Sequence, residues 1–278
     1  MMKKTATIQA SFDYGGAADA MRKLRVGLLF TPVLIALTAN SPYADGRFTG
    51  FLSHRTAIWE ETDPARSGRL DVALDPAFDL RRYVSHLLDL PVLFVRRGDR
   101  WHAPPDLTFR AFLERGWNGE RATMYDWEMH LSTFFPDVRV KTVVEIRGAD
   151  CPPRRLFMPV IAWMTGILSS PAALATVEDL LGGLQPAQHR DLQRAAAREG
   201  LRGSAHGISL QGAARELCQA ARRGLAERAR LVGLDESALL DPLDRLVERG
   251  ASPAQDLLDR FGEQVDDPAE LVRATSLC

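Results

Sequence analysis

Polar and apolar residues alternate over residues 5–12, with Thr5, Thr7, Gln9 and Ser11 on one side and Ala6, Ile8, Ala10 and Phe12 on the other. A period of two predicts a strand with one buried face. No further strand pattern follows until residue 91, so the first strand is expected to sit within a larger sheet. Over residues 17–40 the period becomes helical, with Met21, Leu24, Leu28 and Val33 near one stripe and Pro32 expected to kink or break the helix. Residues 54–61 read as a short helix. Asp75-Pro76 reads as a cap followed by a first-turn proline, opening a helix to about residue 88. Residues 91–97 read as a strand, Gly98-Asp99 as a turn and Trp101 as the start of a hairpin partner. Thr108 and Thr123 read as caps of two more helices. Residues 138–147 alternate again and read as one strand, with Val140, Thr142, Val144 and Ile146 on one face and Lys141, Val143, Glu145 and Arg147 on the other.

From about residue 154 the chain is rich in Ala, Leu, Arg and Glu, and Ser170-Pro171, Asp235, Ser252-Pro253 and Asp267-Pro268 read as successive helix starts. A glycine-containing break falls at residues 203–207. Strands and helices are segregated more than alternating, which predicts an α+β fold. Residues 1–165 are expected to carry the chemistry, and residues 166–278 to form a helical region packed on them.

Composition narrows the function little. With 278 residues, 46% hydrophobic and 26% charged, the chain has the make-up of a globular protein with a substantial core. A formal net charge of −1 gives no footprint for nucleic acid or an anionic membrane, so neither is an expected partner. Met1-Met2-Lys3-Lys4 resembles a charged leader, but polar residues follow at once, so no secretory signal is expected. Cys151, Cys218 and Cys278 are far apart and odd in number, as for free thiols in a reducing cytoplasm.

Few positions suggest chemistry on their own. Glu145 and Arg147 share a strand face, which suits either a metal-bound phosphate, with carboxylate on cation and guanidinium on oxygen, or a cross-strand ion pair. Arg55, between Gly50 and Trp59, could clamp a carboxylate or stack on the indole. Arg66 follows a turn at Asp63-Pro64 and would by default be a solvated loop charge. His130, beside Trp127 on a helix, is more simply a packed side chain than a ligand.

Taken together, several segments resemble the glutamate–cysteine ligases of the plant and proteobacterial type. They include Thr5-Ala6-Thr7-Ile8-Gln9, Ala39-Asn40-Ser41-Pro42, Gly50-Phe51-Leu52-Ser53 with Arg55 and Trp59, Thr62-Asp63-Pro64 with Arg66, Phe135-Pro136 with Val138-Arg139, and Glu145-Ile146-Arg147-Gly148-Ala149-Asp150. The likeness is dense to about Trp163 and thin beyond it. It implies part of a glutamine-synthetase-like antiparallel sheet whose concave face binds ATP, Mg²⁺ and glutamate, and a ligation of the glutamate γ-carboxyl to the cysteine amine. By this resemblance Arg55 holds glutamate beside Trp59, Glu145 is a Mg²⁺ ligand, and Arg147 and, less directly, Arg66 contact phosphate. Gln9 lies near glutamate or metal, with Asn40 and Ser41 at the cavity rim.

The family chain is longer and carries earlier strands with acidic metal ligands. Those strands are expected on this or another polypeptide, and the present chain alone is expected to be poorly active or inactive. Cys151-Pro152-Pro153-Arg154 departs from the family's Gly-Gly-Pro-Trp, and Leu93 stands where a tyrosine is common. Both changes leave the acceptor amine open. The alternatives are a non-catalytic or partner-dependent homologue, or a carboxylate–amine ligase with another acceptor.

Overall fold

The computed structural model describes residues 4–276. Residues 1–3 of the leader-like start, and Cys278, lie outside them. The fold is α+β, and a helix runs through its centre. This is α1 (Ala17–Thr38), buried on every side from Val26 onward. It continues across Pro32 as one helix. The expected break does not occur because the whole surrounding turn is packed in the core, and burial there outweighs one lost backbone bond. Thr31 Oγ1 also donates to Gly27 O at 2.8 Å.

One face of α1 packs on a three-stranded antiparallel sheet made of Ala10–Phe12, Val144–Ile146 and Val138–Val140, in that order. The second alternating segment is therefore a hairpin and not a single strand. Val140 pairs with Val144, and the reversal at residues 141–143 preserves parity, so both segments keep their even-numbered residues on the core face. Thr142 sits at the tip. The first strand is shorter than its alternation suggests, because the facing strand ends at Ile146 and beyond it Thr7 Oγ1 donates to Ala149 O at 2.7 Å. Gly27 is where helix and sheet approach most closely. A Cβ there would lie 2.8 Å from Ile146 Cδ1 and 3.0 Å from Val138 Cγ2.

α2 (His54–Thr62) follows the loop after α1. α3 (Leu80–Asp89) starts later than expected: Asp75 Oδ1 accepts from Ala77 N in a turn, and Asp79 caps the helix by accepting from Arg82 N. The hairpin Val95–Arg97 and Arg100–His102 forms, and Thr108 and Thr123 cap α4 (Phe109–Arg115) and α5 (Met124–Ser132). The helical stretch then supplies α6 (Phe157–Leu168), α7 (Pro171–Leu181), α8 (Pro186–Glu199), α9 (Leu210–Val232), α10 (Asp241–Arg249), α11 (Pro253–Phe261) and α12 (Pro268–Thr275). Asp235 precedes a 3-10 turn, Ser237–Leu240, and not an α-helix. The break near Gly203 is a small hairpin, Ser204–Ala205 with Ile208–Ser209. α7 and α8 pack along α1, and one hydrophobic core runs from Ile8 to Val247. No single helix among the described residues is long and apolar enough to cross a membrane.

Two histidines make this core sensitive to acid. His130 lies under α3, where Nε2 meets Leu87 O at 2.8 Å, and His189 lies under α1, where Nε2 meets Leu29 O at 3.2 Å. Burial pushes each down to about 4. The unfolded chain binds these protons near pH 6.5, so between that value and about 4 it holds more protons than the folded one. Stability is therefore complete above the unfolded value and falls as the pH drops through this window, by roughly 2 kcal/mol per histidine at about pH 5. Thermal melting at neutral pH and at about pH 5 checks this. A midpoint independent of pH across the window would contradict it.

Candidate active site

α2 begins where three segments meet. Ser53 N donates to Ala197 O of α8 at 2.9 Å, and His54 N to Ser41 O at 3.1 Å. Arg55 N donates to Ser41 Oγ at 3.1 Å, and that hydroxyl donates to Asp150 Oδ2 at 2.5 Å. Asn40 completes the clasp, its N donating to Asp150 Oδ2 at 3.2 Å and its Nδ2 to Cys151 O at 2.8 Å. The first turn of α2 is thereby pinned with Arg55 turned inward, only 6% exposed.

Arg55 and Trp59 are one turn apart, and the guanidinium carbon lies 5.8 Å from the indole centroid. Arg55 Nη2 donates to Arg147 O at 2.9 Å, while its Nε has no hydrogen-bond partner among the described residues. Burial pushes its pKa down, while Asp150 and Asp137 push it back up. A guanidinium does not deprotonate in a protein, so the site holds a desolvated cation. Arg55 and Trp59 line a cavity of about 430 Å³ whose other walls include Gly68, Arg69 and Asp137, with Arg190 and Gln193 from α8.

From Trp59 the site continues along the polar face of the sheet. Trp59 and Phe135 meet edge to face at 6.2 Å, and the Arg147 guanidinium lies 5.8 Å from the Phe135 ring centroid. Arg147 Nη1 donates to Gln9 Oε1 at 3.0 Å and lies 3.2 Å from Glu145 Oε2. The same Oε2 accepts from Arg139 Nε at 3.0 Å and Nη2 at 2.7 Å. Burial raises the Glu145 pKa, but the bonds and charge of Arg139 and Arg147 outweigh it and the net shift is down. Glu145 is thus a carboxylate in a strongly cationic setting.

A larger cleft, about 1120 Å³, lies between α1, α3 and α7. Its Arg22 and Arg25 both pair with Glu178.

The sequence model of glutamate-cysteine ligase family 2 matches residues 1–274. The chain belongs to that family. It is similar to the chloroplastic glutamate–cysteine ligase of Arabidopsis thaliana, at 36% identity over 273 residues, which is 96% of this chain and 52% of that protein. The Nicotiana tabacum enzyme is 34% identical over 273 residues, again 96% and 52%. Glutamate–cysteine ligase A of Oryza sativa subsp. japonica is 34% identical over 264 residues, 94% and 53%. The chain spans about half the length of the curated relatives it matches.

Of the residues that the glutamate–cysteine ligase resemblance singled out, Arg55, Trp59, Arg147, Gln9 and Glu145 form one connected surface. Asn40 and Ser41 do not line the cavity; they hold Asp150 and the backbone of Arg55. Arg66 stands apart. Its Nη1 donates to Thr133 Oγ1 at 2.8 Å, its Nε lies 3.8 Å from Asp63 and its Nη2 has no hydrogen-bond partner among the described residues; it does not line the cavity. Arg69, three residues on, enters the cavity wall instead. It pairs with Asp71, and its Nη1 lies 2.9 Å from His189 Nδ1 and 3.4 Å from Gln193 Oε1. An arginine can only donate, so His189 accepts at Nδ1 and carries its proton on Nε2.

The sequence reading missed Asp137 and the α8 residues. Asp137 had a faint signal, an acid between Phe135-Pro136 and Val138. The α8 side chains had none beyond an amphipathic helix, because their role depends on docking against α2.

Proposed function

We propose that this chain carries the amino-acid and phosphate faces of an ATP-dependent glutamate–cysteine ligase. One observation carries the reading: Arg55 is a buried cation beside Trp59, with an unused Nε, on a cavity whose Trp59 wall adjoins the Arg147–Glu145 surface through Phe135. A buried guanidinium with an open donor suits a carboxylate. The adjoining cluster of Arg139, Lys141 and Arg147 suits the oxygens of a phosphoryl group.

In this reading a γ-carboxylate oxygen of glutamate attacks the γ-phosphorus of ATP, and the bond to the bridging oxygen of ADP breaks. The amine of cysteine, once deprotonated, attacks the acyl carbon of the γ-glutamyl phosphate, and phosphate leaves. Arg55 holds a glutamate carboxylate against Trp59, and Arg147 balances charge on the moving phosphoryl group. Magnesium fits only in part on this chain. The hydrogen bonds and ion pairs of Glu145 all run to Oε2, which leaves Oε1 for a hard cation. Among the described residues there is no cluster of three or more acidic, histidine or cysteine side chains that could hold a metal. Glu145 would hold the ion through Oε1, and the ion would supply charge neutralisation to the phosphates. We propose a reducing, cytoplasmic-type environment on the basis of the free Cys151 and Cys218; the relatives named above are chloroplastic.

The departure at Cys151-Pro152-Pro153-Arg154 supports a second reading, a related ligase with another acceptor amine. The test is to incubate the purified chain with L-glutamate, L-cysteine and Mg·ATP and to follow ADP and γ-glutamylcysteine. The two are expected in equal amounts but at a low rate from this chain alone, which spans about half the length of its relatives, and at a higher rate once the family's earlier strands are supplied. A γ-glutamyl product with another amine but not with cysteine would overturn the acceptor, and the absence of any glutamate-dependent ADP even with the family's earlier strands supplied would overturn the ligase reading.

A further inference from the structure

Asp137 faces the same cavity as Arg55 and has no assigned task. It is 9% exposed, and its carboxylate receives one hydrogen bond among the described residues, from Gln193 Nε2 to Oδ2 at 3.1 Å. The orientation of Gln193 is fixed by its other end, since Oε1 faces the Arg69 donor and the amide nitrogen must face Asp137. Burial pushes the Asp137 carboxyl up and Arg55, Gln193, Arg69 and Arg147 pull it back only in part; among the described residues none of the arginines forms an ion pair with it and Oδ1 receives no hydrogen bond. A buried carboxylate in this state is costly unless a ligand completes it.

The backbone joins Asp137 to Arg55. Arg147 N donates to Asp137 O at 2.8 Å, and Arg147 O accepts from Arg55 Nη2 at 2.9 Å. Arg147 thus ties the backbone of Asp137 to the side chain of Arg55, and both residues line one cavity, each with a polar atom that no hydrogen bond among the described residues uses. An anion-binding and a cation-binding group on one cavity complement a carboxylate and an ammonium on the same carbon.

We infer that Asp137, held by Gln193 of α8, binds the α-ammonium of the amino-acid substrate whose α-carboxylate is bound by Arg55. The inference rests on the amino-acid site proposed above and extends it, because it makes the site selective for α-amino acids over plain dicarboxylates. It also gives α8, from the stretch of the sequence where the family likeness is thin, a direct part in substrate choice.

The test is calorimetric titration of the 278-residue chain with L-glutamate and with glutarate, which lacks the α-ammonium. The wild-type chain is expected to bind L-glutamate more tightly, by roughly 10- to 100-fold, as for a charged hydrogen bond to a buried carboxylate. Asp137→Asn is expected to remove most of that preference by weakening L-glutamate while leaving glutarate nearly unchanged. Equal wild-type affinity for the two ligands would overturn the inference and needs no variant to fold. An equal loss of both ligands in Asp137→Asn would also overturn it, because Asp137 would then only position Arg55. Failure of the wild-type chain to bind either ligand would overturn the amino-acid site itself, and the inference with it.

Discussion

Arg55→Lys is expected to weaken L-glutamate binding by roughly 30- to 100-fold, the scale of a buried charge-assisted hydrogen-bond pair. Lysine keeps the charge but loses the planar fork. It cannot donate to Arg147 O and also present a second nitrogen to a carboxylate in the same plane. It also gives up much of the stacking on Trp59. The clasp that holds this turn should survive, since Ser41 Oγ meets the backbone N of residue 55 and not its side chain. The thermal midpoint should therefore change little while affinity falls, and titration calorimetry separates the two. Wild-type affinity in Arg55→Lys would remove Arg55 from the site.

The α+β class, most helix starts and the polar strand face were legible in the sequence, because they rest on local periodicity and capping chemistry. Errors arose where two local signals competed. Asp75-Pro76 looked like a helix start, but Asp75 closes a turn and Asp79 caps α3 four residues later. The hairpin at residues 138–146 was read as one strand because its reversal preserves the alternation. For Glu145 the cross-strand ion pair is present, with Arg139, and Arg147 meets the same carboxylate oxygen from its own strand face. Arg66 and Arg69 could not be told apart by pattern. The parallel pairing of Ser67–Gly68 with Phe135–Pro136 sends one arginine toward Thr133 and the other into the cavity wall. That pairing joins segments far apart in the chain, and no local propensity reveals it.

The second large effect is expected at Glu145 and Arg147. If they served only as surface ion pairs, replacing either would change stability by roughly 0–1 kcal/mol and leave phosphoryl transfer alone. On the proposed reading the two losses differ in kind. Glu145→Gln should raise the Mg²⁺ concentration needed for half-maximal turnover, since a neutral amide is a poorer ligand for a hard cation. Arg147→Ala should slow phosphoryl transfer by roughly 100- to 1,000-fold, as for loss of one preorganised donor at a developing charge. Its backbone links to Asp137 and Arg55 remain, and Val144 and Ile146 stay packed in the core, so both variants should fold.

The decisive readout is the acyl phosphate itself, trapped with hydroxylamine so that the identity of the natural acceptor does not matter. Purified wild-type chain with L-glutamate, Mg·ATP and hydroxylamine is expected to form γ-glutamyl hydroxamate and ADP in equal amounts, with a shifted Mg²⁺ dependence in Glu145→Gln and little product in Arg147→Ala. The comparison is made with the family's earlier strands supplied; hydroxamate formed by both variants at the wild-type rate and Mg²⁺ dependence, or none formed by the wild-type protein in that form, would contradict the assignment of this surface to glutamate activation.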